Sequence, residues 1–204
     1  MRHPTAPRRL RLLAAAAAVV PVLALAGCAG ADSSSESTSA DISASAGLLA
    51  DEGLEGLDAT QVIERLDTMA LAERPSDLIA SVQPDAVVVT DDQGREARLP
   101  MPEDRVYVSV APYVDQTHEC HFHSLTTCVG ELGDESVDVT LTTADGEVLV
   151  DEVRRTYDNG FVGLWVPRDI DATLTITHGG RTGTAPITTQ DPDDPTCVTT
   201  LQLT

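Results

Sequence analysis

The stretch His118-Glu119-Cys120-His121-Phe122-His123-Ser124-Leu125-Thr126-Thr127-Cys128 holds two cysteines and three histidines, from four cysteines and five histidines in the whole 204-residue chain. A third cysteine, Cys197, lies near the C-terminus. Thiolate sulfur is a soft donor that selects Cu(I) and also accepts zinc, while neutral imidazole binds Cu(II) and zinc. Cys120, Cys128 and Cys197 are therefore candidate metal ligands. His118, His121 and His123 are candidate accessory groups that add a ligand, tune the thiols or meet Cu(II) first.

Spacing narrows the choice. Structural zinc sites pair cysteines two to four residues apart, and Cys120 and Cys128 are further apart than that. A Cys-x-x-Cys pair, the mark of a standard dithiol oxidoreductase, is absent. An extended His118–His123 would turn His118, Cys120 and Phe122 to one side and Glu119, His121 and His123 to the other. Two other readings stay open. One is a disulfide with a spare thiol: on the loop-entropy model Cys120–Cys128 would stabilise by about 2.5 kcal/mol and Cys128–Cys197 by roughly 4.4. The other is a thiol redox protein that cycles Cys120 and Cys128 and resolves through Cys197, with reduction of Cu(II) as its chemistry. His118 and His121 do not form the His-Glu-x-x-His metalloprotease pair, and there is no Gly-x-Ser-x-Gly elbow or phosphate-cradling glycine loop.

The elements that must position these residues follow an export signal. Arg2, Arg8, Arg9 and Arg11 precede an apolar run from Leu12 to Ala26, which ends at Leu25-Ala26-Gly27-Cys28. That run is too short to span a bilayer comfortably, and small residues before a cysteine resemble the cleavage box of bacterial lipoproteins. Residues 1–28 are thus expected to be a lipoprotein signal peptide with Cys28 as the lipidated residue; Arg8-Arg9 leaves a twin-arginine route open beside the general one. The mature protein would be exported and lipid-anchored at the outer face of the cytoplasmic membrane or in the cell envelope, where thiols tend to oxidise. All 33 acidic residues lie after Cys28, and the formal charge of the whole chain is −20. Such a surface repels nucleic acid, which is not expected as a partner.

Residues 29–46, rich in Ser and Ala, read as a flexible tether. Residues 47–84 read as a helical region: Asp58 and Gln61 form a capping box, and Val62, Ile63, Leu66, Met69 and Ala70 fall on one face. A second short helix is expected from Ser76 to Val82, opened by Pro75. From residue 85 the pattern is β. Strands are expected at Ala86–Thr90, Glu96–Leu99, Val106–Val110, Val137–Thr143, Glu147–Tyr157, Phe161–Val166, Ala172–Thr177, Arg181–Thr189 and Cys197–Leu203. The fold class is α+β: a small N-terminal helical segment, then a mainly antiparallel β-sandwich or barrel over residues 85–204. The lone Trp165 is expected in the core, with shielding of a metal centre as the less favoured role.

Several stretches in order resemble the CueP family of bacterial periplasmic copper-binding metallochaperones: Val110-Ala111-Pro112-Tyr113, Thr117-His118-Glu119-Cys120, Phe122-His123, Thr127-Cys128, Gly130-Glu131-Leu132, Tyr157-Asp158-Asn159-Gly160-Phe161, Gly163-Leu164-Trp165 and Pro195-Thr196-Cys197. The resemblance implies copper, as Cu(I), held by Cys120, Cys128 and Cys197. It also implies a homodimer formed through the helical part, and delivery to a periplasmic copper/zinc superoxide dismutase or another exported cuproprotein. A lipid anchor departs from the family's soluble carrier role and favours retention or copper tolerance at the membrane.

Overall fold

The computed structural model describes residues 43–204. The signal sequence, Cys28 and residues 29–42 of the expected tether lie outside the described residues. Two short helices come first, α1 (43–51) and α2 (Ala59–Asp67). Helix α1 begins inside the stretch expected to be tether, because Leu48 and Leu54 have a core to enter and are fully buried. Helix α2 starts as its sequence indicates. Asp58 accepts the Gln61 N–H at 2.9 Å and the Gln61 side chain accepts the Asp58 N–H at 3.0 Å, which satisfies two donors that a helix start leaves orphaned.

Eleven strands follow among the described residues: β1 (Leu78–Val82), β2 (Ala86–Asp91), β3 (Glu96–Pro100), β4 (Arg105–Val110), β5 (His123–Ser124), β6 (Ser136–Thr143), β7 (Val148–Arg155), β8 (Val162–Pro167), β9 (Asp171–His178), β10 (Arg181–Thr188) and β11 (Cys197–Val198). They form three sheets, in the orders β3-β2-β1-β5, β10-β9-β6-β7 and β11-β4-β8. Every strand pair is antiparallel except β11 with β4. The class is α+β, with open sheets stacked as layers.

The expected helix Ser76–Val82 is instead the strand β1. Leu78, Ala80 and Val82 are buried while Ile79 is 55% exposed, a two-residue period. A five-residue apolar run is too short for periodicity alone to separate helix from strand, and pairing with β2 on one side and β5 on the other decides it. The expected final strand shortens to Cys197–Val198, followed by an isolated bridge between Tyr113 and Gln202.

The three-stranded sheet is the middle layer, which is why all but the first residue of β4 is buried. Val106, Val108 and Val110 of β4 and Val162, Leu164 and Val166 of β8 pack on Val137, Val139, Leu141, Leu174 and Ile176 of the β6/β9 sheet. On the other side, Tyr107 and Trp165 join the core made by α1, α2 and the first sheet. Trp165 is half-buried, meets Tyr107 at a tilt with centroids 5.1 Å apart and carries Arg105 over its ring. Its place is structural. Among the described residues no helix is long and apolar enough to cross a membrane.

Candidate metal centre

The site forms where the two cores meet. Ala111, Cys128, Phe161 and Cys197 make a small buried cluster, with Cys120 half-buried against it. Cys197 arrives there because β11 lies parallel to β4, Cys197 opposite Ser109, and the His121 carbonyl accepts N–H bonds from both Thr196 and Cys197 at 3.0 Å. The Thr196 hydroxyl accepts the His123 N–H at 3.0 Å and donates to the Val82 carbonyl at 2.5 Å. One threonine thus ties the C-terminal strand to the Cys/His loop and to β1.

Cys120 and Cys197 are joined in a disulfide, with Cα atoms 5.6 Å apart. Cys128 is a free, buried thiol with its sulfur 3.5 Å from that of Cys120. Neither pairing weighed from the sequence occurs. The bond that forms joins the mid-chain loop to β11, a closure of 77 residues worth about 4.5 kcal/mol on the loop-entropy model.

Of the three loop histidines, two belong to the site. His123 is fully buried. Its Nδ1 faces the Cys197 sulfur at 3.9 Å, while its Nε2–H donates to Asp67 Oδ1 at 3.0 Å. His118 comes within ligand distance of Cys120 and Cys128. His121 does not join them: it is exposed, lies on the Phe122 ring and bonds the Asp193 carbonyl at 2.9 Å. Strict alternation along 118–123 would have paired His121 with His123. It fails because the loop is irregular up to His123, where the short strand β5 begins on Val82.

Asp67 is the residue whose importance the sequence reading missed. It ends α2 fully buried, on the face it shares with Ile63 and Leu66. A carboxylate on an apolar helix face was the available signal. Asp67 also accepts hydrogen bonds from Tyr107 Oη at 2.7 Å, Asn159 Nδ2 at 2.8 Å and Ser109 Oγ at 3.4 Å. The Tyr107 hydroxyl has room there because residue 163 is glycine, where a Cβ would collide with it. Asn159 points inward, its amide on Asp67. Gly160 allows this with φ +79° and a backbone approach to Gly130 that leaves no room for a Cβ at either. Phe161 then covers His123, ring centroids 4.6 Å apart, and meets His118 edge-on at 6.2 Å. This aromatic takes the shielding position considered for Trp165.

The electrostatics follow from this packing. Burial pushes the His123 pKa down, but the hydrogen bond and charge of Asp67, with Cys128, more than offset it and hold it at about 9. Burial pushes the Cys128 thiol up, yet the His123 hydrogen bond and charge and the Ser124 N–H bring it below its ordinary value. Asp67 is likewise raised by burial and lowered overall by His123, Tyr107 and Asn159. Arg74 adds a nearly buried guanidinium, 3.8 Å from Asp67 and donating to the Cys128 carbonyl at 2.9 Å. The Arg74 guanidinium, the Asp67 carboxylate, the His123 ring and the Cys128 thiol therefore share one buried site. In ligand terms it offers two overlapping trios, His118/Cys120/Cys128 and His123/Cys128/Cys197, each with its donor atoms within 4.8 Å of one another. Sulfur and imidazole fit a soft monovalent or borderline metal and not a hard one.

The sequence profile described as periplasmic copper-binding protein CueP matches residues 61–202. This chain belongs to the CueP family. The matched span contains Cys120, Cys128, Cys197, His118, His123 and Asp67. The CueP crystal structure described as that of S.CueP is similar: 34% identical, covering 78% of this chain and 96% of that one, with a TM-score of 0.72. A comparison with curated proteins gave no match.

Proposed function

We propose that this CueP family member is a lipid-anchored, exported Cu(I)-binding protein that holds one cuprous ion on Cys120, Cys128 and Cys197 for delivery or for copper tolerance. The observation that carries this reading is the convergence of three sulfurs from a mid-chain loop and a C-terminal strand: Cys120 bonded to Cys197, and Cys128 3.5 Å from Cys120. Such a cluster suits a low-coordinate soft cation. With the disulfide closed, each trio has lost one thiolate, so reduction must precede Cu(I) loading. His118 and His123 are the accessory donors of this reading, and His121 has no part in it. The client remains an exported cuproprotein, a copper/zinc superoxide dismutase among them, and a homodimer through the helical part is the proposed assembly.

The test is alkylation of the reduced chain with and without one equivalent of Cu(I), read peptide by peptide. Protection of Cys120, Cys128 and Cys197 together is expected. Protection of two with the third fully reactive would refute a three-sulfur site.

A second reading is favoured by the disulfide itself. Closing Cys120–Cys197 from two thiolates releases two electrons, enough to take two Cu(II) to Cu(I). Disulfide formation in step with Cu(I) appearance, at one bond per two ions, would establish that reading; its absence under aerobic Cu(II) would remove it.

A further inference from the structure

We propose that the two overlapping donor trios mark successive stations for one copper ion, so that Cu(I) enters and leaves through His118, Cys120 and Cys128 and rests on the sulfurs of Cys120, Cys128 and Cys197 with His123 as the inner nitrogen. This rests on the Cu(I) reading above and adds the route. The trios differ in burial. The inner one is closed to solvent, with His123 at 0%, Cys197 at 3% and Cys128 at 8% exposure. The outer one is accessible at His118 and Cys120, and both residues line a surface hollow with Tyr113, Thr117, Thr199 and Thr200. His118 also borders the adjoining hollow formed with Gln116, Val129 and Glu131, so it stands between the two openings.

Cys128 belongs to both trios. With Cys120 it can remain bonded while the other ligands change over: the His118 nitrogen releases as the Cys197 sulfur and His123 Nδ1 take hold. Copper stays cuprous throughout, no electron moves, and once the disulfide is reduced the protons displaced from His123 Nδ1 and the thiols pass to solvent. Ligand replacement around a shared thiolate avoids a bare ion, which a buried apolar setting would penalise heavily. The inner nitrogen is already aimed. Asp67 takes the Nε2–H of His123, which leaves Nδ1 facing the Cys197 sulfur, the arrangement in which a carboxylate orients a ligating imidazole. His118 meets the edge of Phe161, and among the described residues no carboxylate orients its ring, which suits a ligand that must let go.

The two stations give opposite kinetic and equilibrium signatures. The experiment loads the reduced chain with one Cu(I), measures affinity by competition with a colorimetric cuprous chelator, and follows transfer to that chelator by stopped flow. His118→Ala is expected to shift affinity by no more than about threefold while slowing transfer by about tenfold. His123→Ala is expected to lower affinity by at least the roughly 10–100-fold that loss of an outer-shell partner costs a metal site. His118→Phe separates ligation from packing, since it keeps a ring against Phe161 without a donor; transfer is expected to stay slow. His118→Met, with a soft thioether, is expected to restore it. Wild-type transfer rates in His118→Ala, or recovery in His118→Phe, would overturn the route and leave the three-sulfur reading standing. Failure of the reduced wild type to hold Cu(I) would instead overturn that reading.

Discussion

Replacing Asp67 by Asn tests the buried network most sharply, because the side chain keeps its shape while it loses its charge and exchanges one acceptor oxygen for a donor. In the wild type the carboxylate takes the His123 Nε2–H at 3.0 Å, the Tyr107 hydroxyl at 2.7 Å and the Asn159 amide at 2.8 Å, all in a site closed to solvent. Arg74, 3.8 Å away, loses its counter-charge as well. Removing one partner of a buried ion pair typically costs about 3–5 kcal/mol. The lower end is expected here, since His123 can shed its proton and the new amide still offers one acceptor. For a chain of this size about 3 kcal/mol corresponds to a melting-point loss of roughly 6–12 °C. The assay is thermal and urea unfolding of the metal-free disulfide form, with His123→Ala and the double variant completing a cycle. A coupling above about 1 kcal/mol between the two positions is expected. A melting point lowered by less than about 2 °C, or additive single effects, would refute the claim that these two residues act as one unit.

The pH dependence has a defined sign. His123 is held at about 9 in the folded chain, above its ordinary 6.5, so its contribution is complete below 6.5 and lost as pH rises through 9. Cys128, lowered in the fold, contributes with the opposite sign; the His123 effect is therefore best read as the urea midpoint of Cys128→Ser, which should fall across that window and stay flat in Cys128→Ser/Asp67→Asn. Non-reducing peptide mapping of the metal-free chain should show a Cys120–Cys197 cross-link with Cys128 as thiol; a Cys120–Cys128 link as the main product would contradict the observed pairing. Gly160→Ala forces a Cβ into the Gly130 backbone at 2.7 Å with φ +79° and should cost about 1–3 kcal/mol, measured as a lower urea midpoint. An unchanged midpoint would mean that the Gly130–Gly160 contact relaxes freely.

Local chemistry made much of this fold legible in the sequence. The Asp58/Gln61 box, the Val62-Ile63-Leu66 face, the apolar runs of β2 and β4 and the two-residue periods of β6 and β9 are each decided within a few residues, and they appear where the sequence places them. Strand β1 was misread because Leu78–Val82 is apolar enough for either element and only its neighbours settle the matter. The cysteines and histidines stood out by type and spacing. Their division did not: His123 turns inward and His121 outward because Thr196 and Val82 pin the loop from strands that are remote in sequence. The role of Asp67 depends on Tyr107 and Asn159, 40 and 92 residues away. No local rule links such positions, although a carboxylate on the apolar face of α2 was a visible anomaly.

The most direct measurement is the Cu(I) affinity of reduced Cys197→Ser beside the reduced wild type, by chelator competition at one copper per chain. A marked loss of affinity is expected, because the remote strand would no longer close the sulfur cluster. Undiminished affinity in that variant would contradict the three-sulfur site.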